Sequence, residues 1–189
     1  MVSREKIKIC VSGAAELSPC CSNIKELAQE IGREIAKQNC LLLTGATTGV
    51  SYYAAQGFKE IKNSFCIGFS PASSKKEHEK IYHLPTEPFD LIIYTGFDYV
   101  GRNLILTKAA DGIIVICGRT GTLNEFTIAF ESRMPIGVLE QTGGIADFIK
   151  EILKRGYRPK KKIIYDTNPR NLVRKLINLI KKEKNLINK

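Results

Sequence analysis

Short apolar segments alternate with segments of helical periodicity along almost the whole chain. The apolar segments are 7–13, 41–44, 64–69, 91–94, 112–116, 136–139 and 162–165. The segments of helical period are 23–38, 50–61, 101–110, 122–132, 145–154 and 169–184. Near-continuous apolar strands are typical of parallel sheets, because such strands are covered by helices on both faces. The sequence therefore predicts an α/β fold, with a doubly wound, mainly parallel Rossmann-like sheet between two layers of helices.

The chain has 189 residues, a length that suits one domain of this class. We therefore expect residues 1–189 to form a single Rossmann-like domain, with 168–187 as a basic C-terminal helix packed on it. One stripe of that helix is apolar and should face the body: Leu172, Val173, Leu176, Ile177 and Ile180. Its basic residues should face water: Arg174, Lys175, Lys181 and Lys182.

The net charge of +10 is concentrated at one end of the chain. Residues 158–189 hold eleven Lys or Arg and two Asp or Glu, which leaves 18 basic and 17 acidic residues before Arg158. The body is therefore almost neutral, and an argument for nucleic-acid binding would rest on the tail alone. We expect nucleic acid not to be a partner.

Other features of composition narrow the class of protein. No apolar run approaches the roughly 18 residues that a membrane span needs, and no signal-peptide core follows Met1, so we expect a cytoplasmic protein without membrane contact. The six cysteines are predicted to be reduced thiols. His78 and His83 are predicted to be solvated loop residues, and no metal site is expected. The connection 71–89 is either a flap over a site or a solvated loop.

Four glycine-rich or hydroxyl-rich loops follow predicted strands, and in chain order the first to the fourth are 12–15, 44–50, 117–122 and 141–144. Parallel strands bring these loops to the carboxyl edge of the sheet, where helix N-termini bind anions. They therefore predict a site for a small phosphorylated ligand. The predicted ligand-binding and phosphate-binding residues of these loops are Ser12, Gly13, Gly45, Thr47, Thr48, Gly49, Gly118, Arg119, Thr120, Gly121, Thr122, Thr142, Gly143 and Gly144.

Two charged residues flank the third of these loops and are candidates for catalysis. Arg102, with Asn103 beside it, precedes the loop on a predicted helix, and Glu125 follows on the next helix. Arg102 could instead pair with an acid such as Asp98 or Asp111, and Glu125 could simply favour the first turn of its helix through the dipole.

The pattern resembles the Lonely Guy family, whose members were long mislabelled as lysine decarboxylases. Its G-G-G-x-x-G-x-M loop falls on 44–51, where Gly45 and Gly49 match and Ser51 replaces methionine. Its P-G-G-x-G-T-x-x-E loop falls on 117–125, and the arginine of its R-K-x-x-M helix falls on Arg102. The residues that match this P-G-G-x-G-T-x-x-E motif are Gly118, Gly121, Thr122 and Glu125. The resemblance spans roughly residues 7–155.

Departures from the family motifs bear on function. Asn103 follows Arg102 where the family has lysine, Leu106 stands at the methionine position, and Arg119 replaces a glycine of the phosphate loop. The side chain of Arg119 either points to solvent or turns inward to offer a guanidinium group to a phosphate. The sequence is similar to the nucleotide-binding branch of the superfamily, which includes molybdenum-cofactor carriers.

Two functions follow as expectations. The first is binding, without a required cofactor, of a nucleoside monophosphate or a phosphorylated cofactor such as molybdenum cofactor. The alternative is hydrolysis of the N-glycosidic bond of a nucleoside 5′-monophosphate, a phosphoribohydrolase reaction in which Glu125 would stabilise an oxocarbenium-like sugar and Arg102 the charge on the leaving base or phosphate. If the chain is an enzyme, the resemblance implies this hydrolase and not a lysine decarboxylase.

Assembly is the last expectation. The helices at 101–110 and 122–132 carry apolar residues on more than one face. The residues concerned are Leu104, Ile105 and Leu106 in the first, and Phe126, Ile128, Ala129 and Phe130 in the second. A wide apolar surface needs a second partner, and the resembling family forms homodimers through the corresponding helices. We expect a homodimer or a dimer-based oligomer.

Overall fold

The computed structural model describes residues 5–157 and 162–187. The strands in this part of the chain are β1 (Lys8–Gly13), β2 (Leu41–Thr44), β3 (Cys66–Ser70), β4 (Leu91–Tyr94), β5 (Gly112–Ile116), β6 (Ile136–Leu139) and β7 (Ile163–Asp166). The helices are α1 (Ile24–Lys37), α2 (Val50–Lys59), α3 (Lys75–Lys80), α4 (Asp98–Ala109), α5 (Thr120–Glu131), α6 (Gly144–Arg155) and α7 (Pro169–Ile187).

All the strands pair in parallel in one sheet of order β4-β3-β2-β1-β5-β6-β7. This confirms the predicted doubly wound, Rossmann-like α/β fold. The strand order reverses between β1 and β5, because β2 to β4 follow on one side of β1 and β5 to β7 on the other. A crevice opens above the carboxyl ends of the strands at such a switch point, and ligands of open α/β sheets bind there.

Successive side chains of the central strands enter opposite layers of the core. Ile9 and Val11 of β1 pack in the cluster that contains α1, α2 and α7. Cys10, between them, packs in the cluster formed with α4, α5 and α6. Because both faces of β1 are buried, its sequence shows a continuous apolar run instead of an alternating one.

Helix α7 packs through the predicted stripe, whose five apolar side chains are buried in the core of the first layer. Its basic residues, however, are not simply solvated. Arg174 donates to the buried carboxylate of Glu34 at 2.8 Å, and Lys175 contacts Asp166 at 2.7 Å. Glu34 of the body and Asp166 of β7 thus neutralise part of the positive charge that the sequence concentrates here.

The connection between β3 and β4 contains α3, which the sequence did not predict. His78 of this helix is fully buried, so the expectation of a solvated residue was wrong. One ring nitrogen lies 2.8 Å from Ser70 Oγ and the other 2.9 Å from the Pro85 carbonyl oxygen. The carbonyl can only accept, so the Nε2 atom carries the proton and Ser70 donates to Nδ1. This histidine ties the connection to the end of β3.

The prediction of fully reduced cysteines was also wrong, because Cys20 and Cys117 form a disulfide. The two residues are 97 positions apart in the sequence, yet their Cα atoms lie 5.6 Å apart. The reason is the sheet order: the β1–α1 and β5–α5 loops leave neighbouring strands at the same edge. Cys10, Cys21, Cys40 and Cys66 are free thiols.

Candidate functional site

A cleft of about 390 Å³ lies at the switch point, above the carboxyl ends of β1, β2 and β5. This size falls within the range of small-molecule sites. The loops after these three strands, together with α4 and α5, supply its walls. The lining residues are Gly13, Ala14, Ala15, Glu16, Gly45, Thr47, Ser51, Tyr99, Arg102, Asn103, Arg119, Thr120, Gly121, Thr122 and Glu125.

Arg102 forms the floor of the cleft. It lies on the second turn of α4, and only 5% of its surface is exposed. Its Nη1 atom donates a long hydrogen bond of 3.4 Å to the Phe69 carbonyl, and the guanidinium carbon lies 5.7 Å from the centre of the Tyr99 ring. Burial lowers the pKa of the guanidinium, while the nearby Glu125 acts in the opposite direction. A buried cation of this kind is chemically suited to an anion, because an anion would replace the water that burial removed.

Glu125 lies on the second turn of α5, near enough to Arg102 for each charge to affect the pKa of the other. Ser12 Oγ donates a short hydrogen bond to its Oε2 atom. The Asn103 amide is best oriented with its nitrogen toward Glu125, where it donates to Oε1 at 3.1 Å and to the Tyr99 carbonyl at 2.9 Å. Burial raises the pKa of the Glu125 carboxyl, against the effects of Arg102 and the Ser12 hydrogen bond.

The N-terminus of α5 opens into the same cleft. The hydrogen bond from Leu123 N to the Arg119 carbonyl is the first of the helix. The amides of Thr120, Gly121 and Thr122 precede it, so they have no acceptor within the helix. These three residues line the cleft, where their amides and the positive end of the helix dipole favour a negatively charged group.

The side chain of Arg119 is more than half exposed, in line with the solvent-facing alternative, and it is also paired. It lies at the mouth of the cleft and pairs with the carboxylate of Glu16, from the β1–α1 loop. More than half of each side chain is exposed, at 55% for Arg119 and 74% for Glu16. The mouth of the cleft is therefore spanned by an ion pair that joins two of its walls.

The remaining residues of the second loop lie at the cleft or directly behind it. Gly45 and Thr47 line the cleft. Thr48 is exposed and donates through Oγ1 to the Ala15 carbonyl at 3.2 Å, and Gly49 caps the N-terminus of α2. The Thr48 hydroxyl and the Val50 amide, which donates to the Ala14 carbonyl, thus hold the first loop against the second.

The fourth predicted loop and Gly118 lie behind the cleft. Thr142 is buried, where its Oγ1 accepts from Cys117 N at 2.9 Å and donates to the Leu139 carbonyl at 2.8 Å. The carbonyl of Gly118 accepts from Ile145 N at 2.9 Å. Gly143 lets the backbone of this loop approach the β1–α1 loop at Pro19, and Gly144 lets it approach the β5–α5 loop at Gly118. The fourth loop thus supports the β5–α5 loop from behind.

Five lining residues were not among the predicted site residues: Ala14, Ala15 and three with polar side chains, Glu16, Ser51 and Tyr99. Tyr99 lies three positions before Arg102, so helical spacing could have placed it on the same face. Ser51 stands at the methionine position of the G-G-G-x-x-G-x-M motif, so the motif itself marks this position of the second loop. Glu16 had no sequence signal, because its role depends on the position of Arg119, 103 residues away.

Among residues 5–157 and 162–187, no group of three or more His, Cys, Asp and Glu side chains is placed to hold a metal ion. In the same part of the chain, no helix is long and apolar enough to cross a membrane.

Comparison with known proteins agrees with this geometry. Residues 6–173 match the model of the SLOG cluster4 family. The chain belongs to the SLOG cluster4 family. This match confirms the resemblance stated from the motifs: the chain falls in a Rossmann-like branch related to the Lonely Guy family.

Solved structures with the same fold include the molybdenum cofactor binding protein of Rippkaea orientalis. It is 26% identical, with a TM-score of 0.76, and the match covers 94% of this chain and 99% of that one. A structure of the Moco carrier protein of Chlamydomonas reinhardtii matches at 23% identity and a TM-score of 0.75, over 94% and 99% of the two chains. An uncharacterized protein of Archaeoglobus fulgidus is 28% identical over 71% of this chain and 80% of its own length.

Proposed function

We propose that this protein binds a nucleotide or a phosphorylated cofactor in the cleft at the switch point. The observation that carries the proposal is the combination of a buried arginine, Arg102, with the open N-terminus of α5 in one cavity. Together they offer a fixed positive charge and several backbone donors to one anionic group. The exposed ring of Tyr99 beside Arg102 offers a surface for a flat heterocycle.

Molybdenum cofactor is the phosphorylated cofactor that the relatives favour. Support comes from the 26% identical protein of Rippkaea orientalis, whose name records binding of this cofactor. The donors of the cleft fit its anionic phosphate, which Arg102 and the amides of 120–122 would hold, while Tyr99 would pack against the ring system. The cofactor would supply redox chemistry, and the chain would bind, orient and shield it.

The test of this function begins with a thermal-shift screen of nucleoside monophosphates and pterin cofactors. A ligand that binds only the folded state raises the melting temperature, and the rise grows with the logarithm of the ligand concentration once that concentration exceeds Kd. For the best ligand we expect Arg102→Gln to weaken binding about 10- to 100-fold, the value of a charged hydrogen-bonding partner. Titration calorimetry measures this change.

Arg155→Gln is the matched control for Arg102→Gln. The Arg155 side chain is 82% exposed at the end of α6 and pairs with Glu151, far along the chain from the cleft residues. This variant loses the same charge and should bind normally. Unchanged affinity in Arg102→Gln, or a screen in which no phosphorylated compound stabilises the protein, would contradict the proposed function.

Hydrolysis of a nucleoside 5′-monophosphate is the second candidate. It is favoured by one observation, the Glu125 carboxyl held by Ser12 and Asn103 beside the Arg102 guanidinium. Release of ribose 5-phosphate from a panel of nucleoside monophosphates distinguishes the two functions. Binding without product, over hours at micromolar protein, leaves binding as the function.

We also propose that the protein forms a homodimer through α4. Phe97, Val100 and Leu104 lie on one stripe of this helix and its cap and are 64%, 74% and 51% exposed. Large apolar side chains that share a surface stripe are typical of an interface. On α5 the predicted apolar surface is mostly covered, since Phe126 and Ala129 are buried.

The expected result for assembly is a dimer that Val100→Glu converts to a monomer, because the carboxylate would be buried without a partner. Light scattering coupled to size exclusion at micromolar concentration gives the mass. Phe148→Glu on α6 is the control, since Phe148 is 63% exposed but lies on another helix. A wild-type monomer would refute the proposal.

A further inference from the structure

The ion pair at the mouth of the cleft contributes little to the fold. Glu16 and Arg119 are both more than half exposed, and pairs of this kind contribute about 0–1 kcal/mol to the free energy of unfolding. The pair also occupies the cleft-lining arginine that an entering ligand meets first, since Arg119 lies at the mouth and Arg102 is buried at the floor. Its position therefore matters for binding.

Other contacts hold the two loops that carry the pair. The backbone of the β1–α1 loop is fixed by the bonds from Val50 N to the Ala14 carbonyl, at 2.9 Å, and from Thr48 Oγ1 to the Ala15 carbonyl. The β5–α5 loop is fixed by the α6 amides and by the Cys20–Cys117 disulfide. Breaking the ion pair would therefore release two side chains without displacing either loop.

We propose that Glu16 acts as a displaceable internal anion. Its carboxylate holds Arg119 at the mouth of the cleft in the free protein, and an anionic group of the ligand replaces it on binding. Arg119 is then a second anion contact, above the amides of 120–122 whose helix it caps. This inference rests on the proposed function and adds a specificity determinant to it.

The exchange selects for ligand charge. A singly charged anion can take the place of the Glu16 carboxylate on Arg119. Because one unit charge then replaces another, the exchange adds little to the free energy of binding. A phosphate monoester carries nearly two charges above neutral pH, because its second pKa is about 6. It gains more from Arg119 than the carboxylate it displaces. The site should therefore prefer phosphate monoesters to diesters.

The experiment is a double-mutant cycle with two simple probes. Wild type, Glu16→Gln, Arg119→Gln and the double variant are titrated by NMR at pH 8 and low salt with methyl phosphate, a monoester, and dimethyl phosphate, a diester. Glu60→Gln is the matched control, because Glu60 pairs with Arg33 on the surface at 2.9 Å and its loss changes the net charge equally.

For methyl phosphate we expect Glu16→Gln to lower Kd about two- to fivefold, the value of an exposed ion pair that no longer has to be broken. Arg119→Gln should raise Kd about five- to tenfold. The Kd of the double variant should equal that of Arg119→Gln within about twofold, because Glu16 has no arginine left to release. For dimethyl phosphate, Arg119→Gln should change Kd less than about twofold. The melting temperatures of all the variants, and the Kd of the control Glu60→Gln, should stay at their wild-type values.

Two results would overturn the proposal. If Glu16→Gln tightens binding as much in the Arg119→Gln background as in wild type, Glu16 acts only by repulsion. If neither variant changes the Kd of methyl phosphate, the pair is an ordinary surface contact. Both leave the proposed function standing. Failure of all the proteins, including wild type, to bind methyl phosphate or any compound of the screen would instead overturn the proposed function and this inference together.

Discussion

A single methyl group at Gly45 should weaken ligand binding about 10- to 100-fold and leave the protein folded. A Cβ atom at this position would lie 1.7 Å from Nη1 and 2.8 Å from the guanidinium carbon of Arg102. Both contacts are with the end of a flexible side chain, so Arg102 can swing away at little cost to the fold. The swing removes the positive charge from the floor of the cleft. Gly45→Ala should therefore weaken binding as much as Arg102→Gln does.

The same substitution at Gly32 should have the opposite outcome. Gly32 lies where α1 crosses α2, and its Cβ would lie 1.9 Å from the Ala54 carbonyl oxygen and 2.7 Å from Phe58 N. Backbone atoms of a packed helix cannot move aside singly, so the helices must separate. Overpacking of this kind costs about 1–3 kcal/mol, which exceeds the gain of up to about 1 kcal/mol from replacing glycine by alanine in a helix.

Two measurements on this pair of variants separate binding from stability. Chemical denaturation should give a lower free energy of unfolding for Gly32→Ala and a nearly unchanged value for Gly45→Ala. Titration with the ligand from the screen should give the reverse order of effects. If Gly45→Ala binds normally, Arg102 does not hold the ligand in the position proposed.

The fold follows from information that is local in the sequence. A strand such as 112–116 is apolar at every position, and this pattern is enough to predict burial on both faces and hence a parallel sheet. The loops after β1, β2 and β5 were found in the same way, because small residues directly after a buried strand predict a βα turn at the carboxyl edge.

What the sequence did not predict depends on contacts between distant residues. Glu16 acquires a role only because the strand order brings its loop beside that of Arg119, and the same adjacency joins Cys20 to Cys117. The fourth loop was grouped with the others by composition, yet Thr142 uses its hydroxyl to support Cys117 from behind. Composition predicts which edge a loop occupies, while the side from which it meets its neighbours depends on packing.

Reduction of the Cys20–Cys117 disulfide should destabilise the protein strongly. The bond closes a loop of 97 residues, and a cross-link of this length restricts the unfolded chain enough to contribute about 2–4 kcal/mol. For a chain of this size, we expect a fall of roughly 5–15 °C in melting temperature when reductant is added. The Cys20→Ser, Cys117→Ser double variant should melt at the lower temperature with or without reductant.

Cys21→Ser is the control for the loss of the disulfide, because Cys21 is a free thiol next to Cys20. It should keep the higher melting temperature and its response to reductant. Titration of thiols in the denatured, unreduced wild type should give four free groups, those of Cys10, Cys21, Cys40 and Cys66. Six reactive thiols would contradict the disulfide.

The disulfide also holds the β1–α1 loop against the β5–α5 loop, and both loops line the cleft. Reduction should therefore weaken ligand binding as well as lower the melting temperature. A fall in melting temperature with unchanged affinity would show that the hydrogen bonds of Ala14, Ala15 and Gly118 suffice to hold the walls of the cleft.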